Sequence, residues 1–224
     1  MNKYDNLASI IDYTLLDPTA TKEDIKKFCE ETIEHGFKTV FVNPYYISYA
    51  HSLLSPHGIK VGAPIGFSLG GATTHVKVEE TKEAIENGAE EIDMLINLGA
   101  LKSGEYDVVK KDIVEVVKVS KGLTTKVIIE TALLTDDEKV IATELIKEAG
   151  ADFVKTATGF NGGGATVEDV KFLRKVAGNN IGVKAAGGVK TYEDAMNIIA
   201  AGATRLGASS AVAIINGENS KVNY

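Results

Sequence analysis

Residues 150–164 of this 224-residue chain read G-A-D-F-V-K-T-A-T-G-F-N-G-G-G and contain the repeating unit of its architecture. A glycine that ends a helix is followed by a short apolar strand at 153–155, and then by a loop of hydroxyls and glycines. Lysine is among the residue types least often buried without a partner, so Lys155 on an apolar strand needs a reason. Either its amine is desolvated and nucleophilic, or its stem follows the strand end and carries the ammonium group into water.

The same helix-to-strand junction occurs four times, as H-G-F-K-T-V-F, N-G-A-E-E-I-D, A-G-A-D-F-V-K and A-G-A-T-R-L-G. Five residues after the four glycines stand Phe41, Asp93, Lys155 and Gly207. One further strand separates consecutive members, and in a (β/α)8 barrel alternate strands supply the four side chains of one interior layer. The spacing therefore predicts one layer near the carboxyl ends of the strands, where barrel active sites lie.

Strands and helices alternate along the whole chain. Apolar β-rich runs lie at 10–14, 38–42, 60–65, 91–96, 126–130, 153–155, 182–184 and 205–206. Four helices between them begin with a threonine followed three residues later by an acid, at Thr21, Thr135, Thr166 and Thr191, which is typical of a capping box. Eight alternations without a Pro/Ser-rich linker predict an α/β protein, a single (β/α)8 TIM barrel over 1–224 with a short polar tail at 217–224.

The composition indicates an acidic cytoplasmic protein. The chain is 44% apolar and 25% charged, carries a net charge of −7, and has one cysteine, Cys29. These values disfavour a general nucleic-acid surface and exclude an intrachain disulfide. No 18-residue apolar run is present, so no membrane partner is expected. The four histidines lack zinc-site spacing and no nucleotide-binding glycine motif occurs, so we expect neither a metal nor a cofactor.

A second lysine, Lys184, ends the next strand in the segment I-G-V-K-A-A-G-G-V. Neighbouring strands lie about 4.8 Å apart, so its ammonium group can approach that of Lys155. Two cations in one desolvated site favour loss of a proton from one amine near neutral pH. Alternatively, Lys184 forms a structural pair with Asp93, just as Asp93 and Lys155 could form a simple buried ion pair.

Glycines and hydroxyls follow the last two strands. Gly187 and Gly188 come after the seventh strand, and Gly207, Ser209 and Ser210 end the eighth and open the last helix. Barrels often bind phosphate with the loops after strands seven and eight, so these residues predict an anion site. The alternative is that the two serines are only helix N-caps.

Over residues 10–215 the sequence resembles the deoxyribose-phosphate aldolases, which are class I aldolases on a (β/α)8 barrel. The resemblance rests on I-D-Y-T-L-L at 11–16, V-N-P-Y-Y at 42–46, N-G-A-E-E-I-D-M-L-I-N-L-G-A-L-K-S-G at 87–104, V-I-I-E-T at 127–131, D-F-V-K-T-A-T-G-F at 152–160, G-V-K-A-A-G-G at 182–188 and G-A-T-R-L-G-A-S-S at 202–210. It implies reversible cleavage of 2-deoxy-D-ribose 5-phosphate to acetaldehyde and D-glyceraldehyde 3-phosphate. The expected partners are small phosphorylated sugars and aldehydes, and the expected assembly is a homodimer.

The resemblance also implies a role for each candidate residue. Lys155 corresponds to the Schiff-base nucleophile, Lys184 to the neighbouring cation that lowers its pKa, and Asp93 to part of the proton relay. The residues that correspond to phosphate-binding positions are Gly187, Gly188, Gly207, Ser209 and Ser210. Two alternative hypotheses are another Schiff-base barrel, such as a transaldolase or a fructose-bisphosphate aldolase, and a non-catalytic barrel that binds a phosphorylated metabolite.

The departures leave the range of aldehyde acceptors open. The chain differs from the family pattern at seven positions: Tyr13, Asp17, Phe41, Ser68, Ala132, Ala157 and Ala186. The family usually has a cysteine at position 41. Phe41 cannot react with unsaturated aldehydes, so we expect tolerance of acetaldehyde, and its bulk predicts a narrower pocket. Some family members also end in tyrosine, so Tyr224 either delivers a phenol for proton transfer or belongs to a frayed terminus.

Overall fold

The computed structural model describes residues 7–218, which form eight strands and nine α-helices with four short 3-10 turns. The strands are β1 Ile11–Leu15, β2 Thr39–Val42, β3 Lys60–Ile65, β4 Glu91–Leu95, β5 Thr124–Ile128, β6 Phe153–Lys155, β7 Gly182–Ala186 and β8 Arg205–Ala208. The helices are α1 Lys22–His35, α2 Ile47–Leu54, α3 Thr74–Glu86, α4 Leu98–Lys102, α5 Tyr106–Val119, α6 Asp136–Ala149, α7 Val167–Ala177, α8 Tyr192–Ala200 and α9 Ala211–Asn216.

The strands pair in parallel in sequence order, and β8 pairs with β1 to close the barrel. The predicted (β/α)8 TIM barrel is thereby confirmed. Three of the four predicted caps, at Thr21, Thr135 and Thr191, form complete capping boxes. Thr166 accepts a hydrogen bond from the Asp169 amide. The domain span of 1–224 stays a prediction, and Tyr224 lies outside the described residues.

Alternation along each strand divides the barrel into two environments. One set of strand side chains is apolar and fully buried in the core cluster, where it packs against the helices: Val40, Val61, Ile92, Val127, Val154, Val183 and Leu206. Burying each such side chain contributes roughly 1.5–3 kcal/mol. The residues between them point into the barrel, and several of these are charged. The apolar core that stabilises the fold therefore lies between the sheet and the helices, and the interior of the barrel is available for polar groups.

The strand registers bear out the predicted interior layer of Phe41, Asp93, Lys155 and Gly207. Phe41 pairs with Gly62, and Gly62 pairs with Glu91, which stands two residues before Asp93. The same offset of two residues relates Asp93 to Lys155, Lys155 to Gly207 and Gly207 to Phe41. Four offsets of two residues give a shift of eight, which is the shear of a (β/α)8 barrel.

The predicted strand boundaries agree with the structure to within one residue at β1, β2, β3, β4 and β6, whereas β7 and β8 extend two residues beyond their predicted ends and β5 is displaced. The prediction was 126–130, whereas β5 spans Thr124–Ile128. The strand stops because Glu130 adopts a left-handed backbone conformation with φ of 56° and turns the chain out of the sheet. Within residues 7–218, no helix is long and apolar enough to cross a membrane.

Candidate active site

The carboxylate of Asp93 lies at the centre of the barrel interior and accepts hydrogen bonds from three lysines. Lys155 Nζ and Lys184 Nζ each lie 2.7 Å from Asp93 Oδ2, and Lys126 Nζ lies 2.9 Å from Oδ1. The two lysines are brought together because Lys155 and Lys184 are register partners on β6 and β7. The structure thus gathers the three side chains that the sequence analysis singled out, and it adds Lys126.

Further charged side chains surround Asp93 and its three lysines. Lys184 Nζ is 2.5 Å from Asp12 Oδ2, and Arg205 Nε donates to Asp12 Oδ1 at 2.6 Å. Glu91 accepts hydrogen bonds from Lys126 at 2.6 Å and from Arg205. The connected cluster contains four cations, Lys126, Lys155, Lys184 and Arg205, and three carboxylates, Asp12, Glu91 and Asp93. One cation is in excess, so the cluster reaches charge balance when one amine loses its proton.

The protonation of the cluster follows from burial and from its charges. Burial alone would raise the pKa of Asp93, but the ammonium groups of Lys126, Lys155 and Lys184 outweigh it and hold that pKa well below its usual range. Burial lowers the pKa of Lys184 to about 8, although the carboxylates of Asp12 and Asp93 act in the opposite direction. Asp93 is therefore a carboxylate at neutral pH, and Lys184 gives up a proton more readily than a free lysine does.

A cavity of about 410 Å³ opens above the cluster at the carboxyl ends of β6, β7 and β8. Of the four buried cations, Lys155 lines this cavity, and the other three do not. The Lys155 side chain is 8% exposed, against 1% for Lys184. All five predicted phosphate-binding residues line the same cavity: Gly187, Gly188, Gly207, Ser209 and Ser210. Lys155 is thus the amine of the cluster that a ligand can reach.

Glycines let the loops after β6 and β7 pack closely at this cavity. A Cβ atom on Gly164 would lie 2.7 Å from the carbonyl oxygen of Gly187, which is closer than real Cβ atoms approach. That carbonyl accepts a hydrogen bond from the Ala165 amide at 2.8 Å. Gly187 itself has φ of 81°, in the left-handed region that favours glycine. The glycine-rich pattern therefore joins two loops into one cavity wall.

The ring of Phe41 lies among the ammonium groups, with its centroid 4.1 Å from Lys184 Nζ, 4.7 Å from Lys126 Nζ and 5.9 Å from Lys155 Nζ. Gly62 makes room for it, because a Cβ atom there would lie 2.2 Å from the ring. The residue is buried and is not part of the cavity wall. The expectation that Phe41 narrows the pocket is therefore wrong, because the ring fills the barrel interior beside the lysines.

The other departures from the family pattern lie mostly away from the cavity. Ala186 lines it, whereas Tyr13 and Asp17 line a separate groove beside α1. Tyr13 stacks on Phe28 and donates a hydrogen bond to Glu31. Ala132 packs beneath the β6 loop, since its Cβ lies 2.3 Å from the position of a Cβ on Gly163. Among these seven positions, therefore, Ala186 is the one that lines the cavity of Lys155.

Sequence reasoning missed several residues of the site. Asp12 and Lys126 belong to the strands between those of the predicted layer, and the junction spacing did not address those strands. Lys190 stands two residues after Gly188 in the sequence and lines the cavity with an exposed side chain. A basic residue two positions after a glycine pair at a strand end was an available signal for it. A larger groove of about 1070 Å³ along α3 contacts none of the clustered charges.

Comparison with known proteins identifies relatives over nearly the whole chain. Residues 8–216 match the model of the DeoC/LacD family of aldolases. A deoxyribose-phosphate aldolase 2 of Oceanobacillus iheyensis is 65% identical over 97% of this chain and 98% of its own length. The deoxyribose-phosphate aldolase of Thermococcus gammatolerans is 58% identical over 95% of this chain and 96% of its own length. Among solved structures, the tetrameric deoxyribose phosphate aldolase of Aeropyrum pernix superposes with a TM-score of 0.89 at 36% identity, over 94% of this chain and 89% of that one.

Proposed function

Because the chain belongs to the DeoC/LacD family of aldolases, and is therefore a carbon–carbon lyase, we propose that it reversibly cleaves 2-deoxy-D-ribose 5-phosphate to acetaldehyde and D-glyceraldehyde 3-phosphate. The reaction proceeds through a Schiff base on Lys155. The observation that carries the proposal is the position of Lys155, which alone among the buried cations of the cluster lines the ligand-sized cavity. Neither a metal nor a cofactor takes part.

Lys155 acts as the nucleophile. Its neutral amine adds to the C1 aldehyde of the open-chain sugar, and loss of water gives a protonated imine. The C3 hydroxyl then gives up its proton, the C2–C3 bond breaks, and its electrons pass to the imine to form an enamine. Glyceraldehyde 3-phosphate leaves. Protonation of the enamine carbon and hydrolysis of the imine release acetaldehyde and restore the amine.

Asp93 and Lys184 handle the protons of this sequence. Asp93 Oδ2 bridges the two amines at 2.7 Å from each, so a proton lost by one lysine has a short path to the other. The excess of one cation in the cluster supports a neutral amine near physiological pH. General acid–base groups of this kind contribute typically 10²–10⁴-fold to the rate.

The phosphate of the substrate binds opposite Lys155, between the loops after β7 and β8. The supporting observation is that Gly187, Gly188, Gly207, Ser209 and Ser210 line the same cavity as Lys155, together with the cationic Lys190. The helix that follows, α9, has six residues, so its dipole adds little, and the backbone amides and hydroxyls of the loops are the main donors.

Reductive trapping tests the proposal. The protein is incubated with acetaldehyde and borohydride, and the mass shift is located by peptide mapping. We expect one modified residue, Lys155, and no trapping in the Lys155→Ala variant. Trapping that persists in this variant and maps to Lys184 would invert the roles of the two lysines. Release of acetaldehyde from deoxyribose 5-phosphate, compared with cleavage of ketose phosphates, separates this activity from that of other Schiff-base aldolases.

The physiological setting follows the same proposal. The substrates are small phosphorylated sugars and aldehydes, encountered in the cytoplasm during deoxyribose phosphate catabolism, and nucleic acids and membranes are not partners. We propose a homodimer as the assembly. The Aeropyrum pernix relative is a tetramer, so sedimentation at several protein concentrations is the measurement that distinguishes the two.

A further inference from the structure

Glu130 is a buried acid that the aldolase mechanism does not use. It stands at the end of β5 with φ of 56° and ψ of 65°, a conformation that is uncommon for residues other than glycine, asparagine and aspartate. Residues held in such regions cluster at functional sites, where the surrounding structure keeps them in place. The backbone on either side of it is fixed to β6, because Ile129 and Thr131 donate hydrogen bonds to the carbonyls of Lys155 and Thr156.

The carboxylate of Glu130 binds the loop that follows Lys155. It accepts a hydrogen bond from the Thr158 amide at 2.9 Å, from the Thr158 hydroxyl at 2.6 Å and from Asn161 Nδ2 at 2.7 Å. Its side chain is fully buried, and within residues 7–218 it forms no ion pair. A buried carboxylate is costly without hydrogen-bond donors, and this one takes its donors from a single short loop segment.

That loop segment is a wall of the cavity. Thr158, Gly159 and Phe160 line the cavity together with Lys155. Asn161 extends the connection across the mouth, because its amide also donates to the carbonyl of Ser68 at 2.8 Å. On its far side the loop packs onto Gly187 through Gly164. A change at Glu130 therefore reaches both the wall beside Lys155 and the loop that carries Gly187.

We propose that Glu130 is a positioning residue that clamps Thr158 and Asn161, and thereby holds the β6 loop in the geometry that binds the sugar phosphate. The inference rests on the proposed function, since it assumes that substrate reacts at Lys155. Lys155 itself belongs to β6, which the barrel hydrogen bonds fix independently of the loop. Loss of the clamp therefore disturbs binding of the large substrate more than imine formation with a small aldehyde.

The test compares Glu130→Gln with Asp152→Asn. The first exchange keeps the shape of the side chain but replaces one acceptor oxygen with a donor that faces other donors. Asp152 is the control for loss of a carboxylate that binds a backbone amide, because it accepts a hydrogen bond from the Thr125 amide at 2.8 Å and does not line the cavity. For each protein we measure kcat and KM with deoxyribose 5-phosphate, borohydride trapping with acetaldehyde, and amide hydrogen exchange.

For Glu130→Gln we expect kcat/KM to fall by about 10- to 100-fold, since displacements near 1 Å in a site have effects of this size. Trapping with acetaldehyde should stay within about three-fold of the unsubstituted protein, because Lys155 is fixed by the barrel. Exchange at the amides of Thr158 and Phe160 should accelerate while that of the barrel strands does not. Asp152→Asn should change none of the three. Asn161→Ala, which removes one donor, should give a smaller effect of the same kind if Glu130→Gln does not fold.

Two results would overturn the inference. One is a kcat/KM for both Glu130→Gln and Asn161→Ala that equals that of the control. The other is faster exchange throughout the barrel, which would make Glu130 a stabilising residue without a specific effect on the loop. Absence of trapping in the unsubstituted protein would instead refute the Schiff-base proposal, and the exchange rates would still decide whether the clamp exists.

Discussion

Replacement of Lys184 by leucine should shift the acidic limb of the pH–rate profile towards alkaline pH. Lys155 Nζ and Lys184 Nζ each lie 2.7 Å from the same oxygen of Asp93, so they are no more than about 5.4 Å apart, twice that distance. Two unit charges at this separation repel by about 3 kcal/mol at an effective dielectric constant of 20. That repulsion corresponds to about two pKa units. Removing it takes away an electrostatic repulsion that favours loss of a proton from this buried site.

The charge balance of the cluster also predicts a shift of the limb towards alkaline pH. The cluster has four cations and three carboxylates, so the unsubstituted protein can release one proton and become neutral. Without Lys184 three cations face three carboxylates, and deprotonation of Lys155 would leave a carboxylate uncompensated in a buried site. Both arguments predict that the amine is a weaker nucleophile at neutral pH in the variant.

The assay is the release of glyceraldehyde 3-phosphate, recorded as kcat/KM across the neutral and alkaline range. We expect the limb of the Lys184→Leu variant to move by about two pH units towards the value of a free lysine, about 10.4, with residual activity at high pH. The control is Lys102→Leu, which removes an exposed lysine paired with Glu138. A variant that folds and shows an unshifted limb would mean that burial, and not the second cation, sets the position of the limb.

Three further changes test the remaining assignments. Asp93→Asn should lower kcat by about 10²–10⁴-fold with a smaller change in KM; a large change in binding alone would indicate a structural ion pair. Ser209→Asp should weaken binding of deoxyribose 5-phosphate by charge repulsion, and inorganic phosphate should compete with substrate in the unsubstituted protein; equal activity on phosphorylated and free deoxyribose would exclude the phosphate site. Phe41→Cys should shorten the half-life in concentrated acetaldehyde, because loss of the ring leaves space beside Lys155 for the aldehyde and the nearby ammonium groups make a thiol reactive, whereas burial raises the pKa of Cys29 to about 12 and leaves that thiol inert. Equal half-lives of the two proteins would mean that position 41 does not meet the aldehyde.

The interior layer could be predicted from the spacing of residues in the sequence alone. The glycine junctions recur at a fixed distance from Phe41, Asp93, Lys155 and Gly207, and the strand registers place these four in one layer. This inference succeeds because a closed barrel of eight parallel strands has a fixed shear, so equal distances from helix ends give equal heights along the barrel.

The charge partners of that layer could not be read from the sequence in the same way. Lys126 lies 33 residues from Asp93 and meets it because β4 and β5 are neighbouring strands, whereas Arg205 lies 193 residues from Asp12 and meets it because β8 and β1 close the barrel. Which lysine faces the cavity was equally inaccessible, because Lys155 and Lys184 occupy similar strand ends. In the structure Lys155 lines the cavity, whereas the Lys184 side chain is 1% exposed and does not.

The sequence by itself thus determined the barrel, its strand order and the residues at the carboxyl ends of its strands, because periodicity, helix caps and glycine junctions are local properties of the chain. The tertiary structure decided the lowered pKa of Lys184, the burial of Phe41 beside it and the hydrogen bonds of Glu130 to the β6 loop. These properties depend on distances between groups that are remote in sequence, and electrostatic energies change steeply with such distances and with exclusion of water.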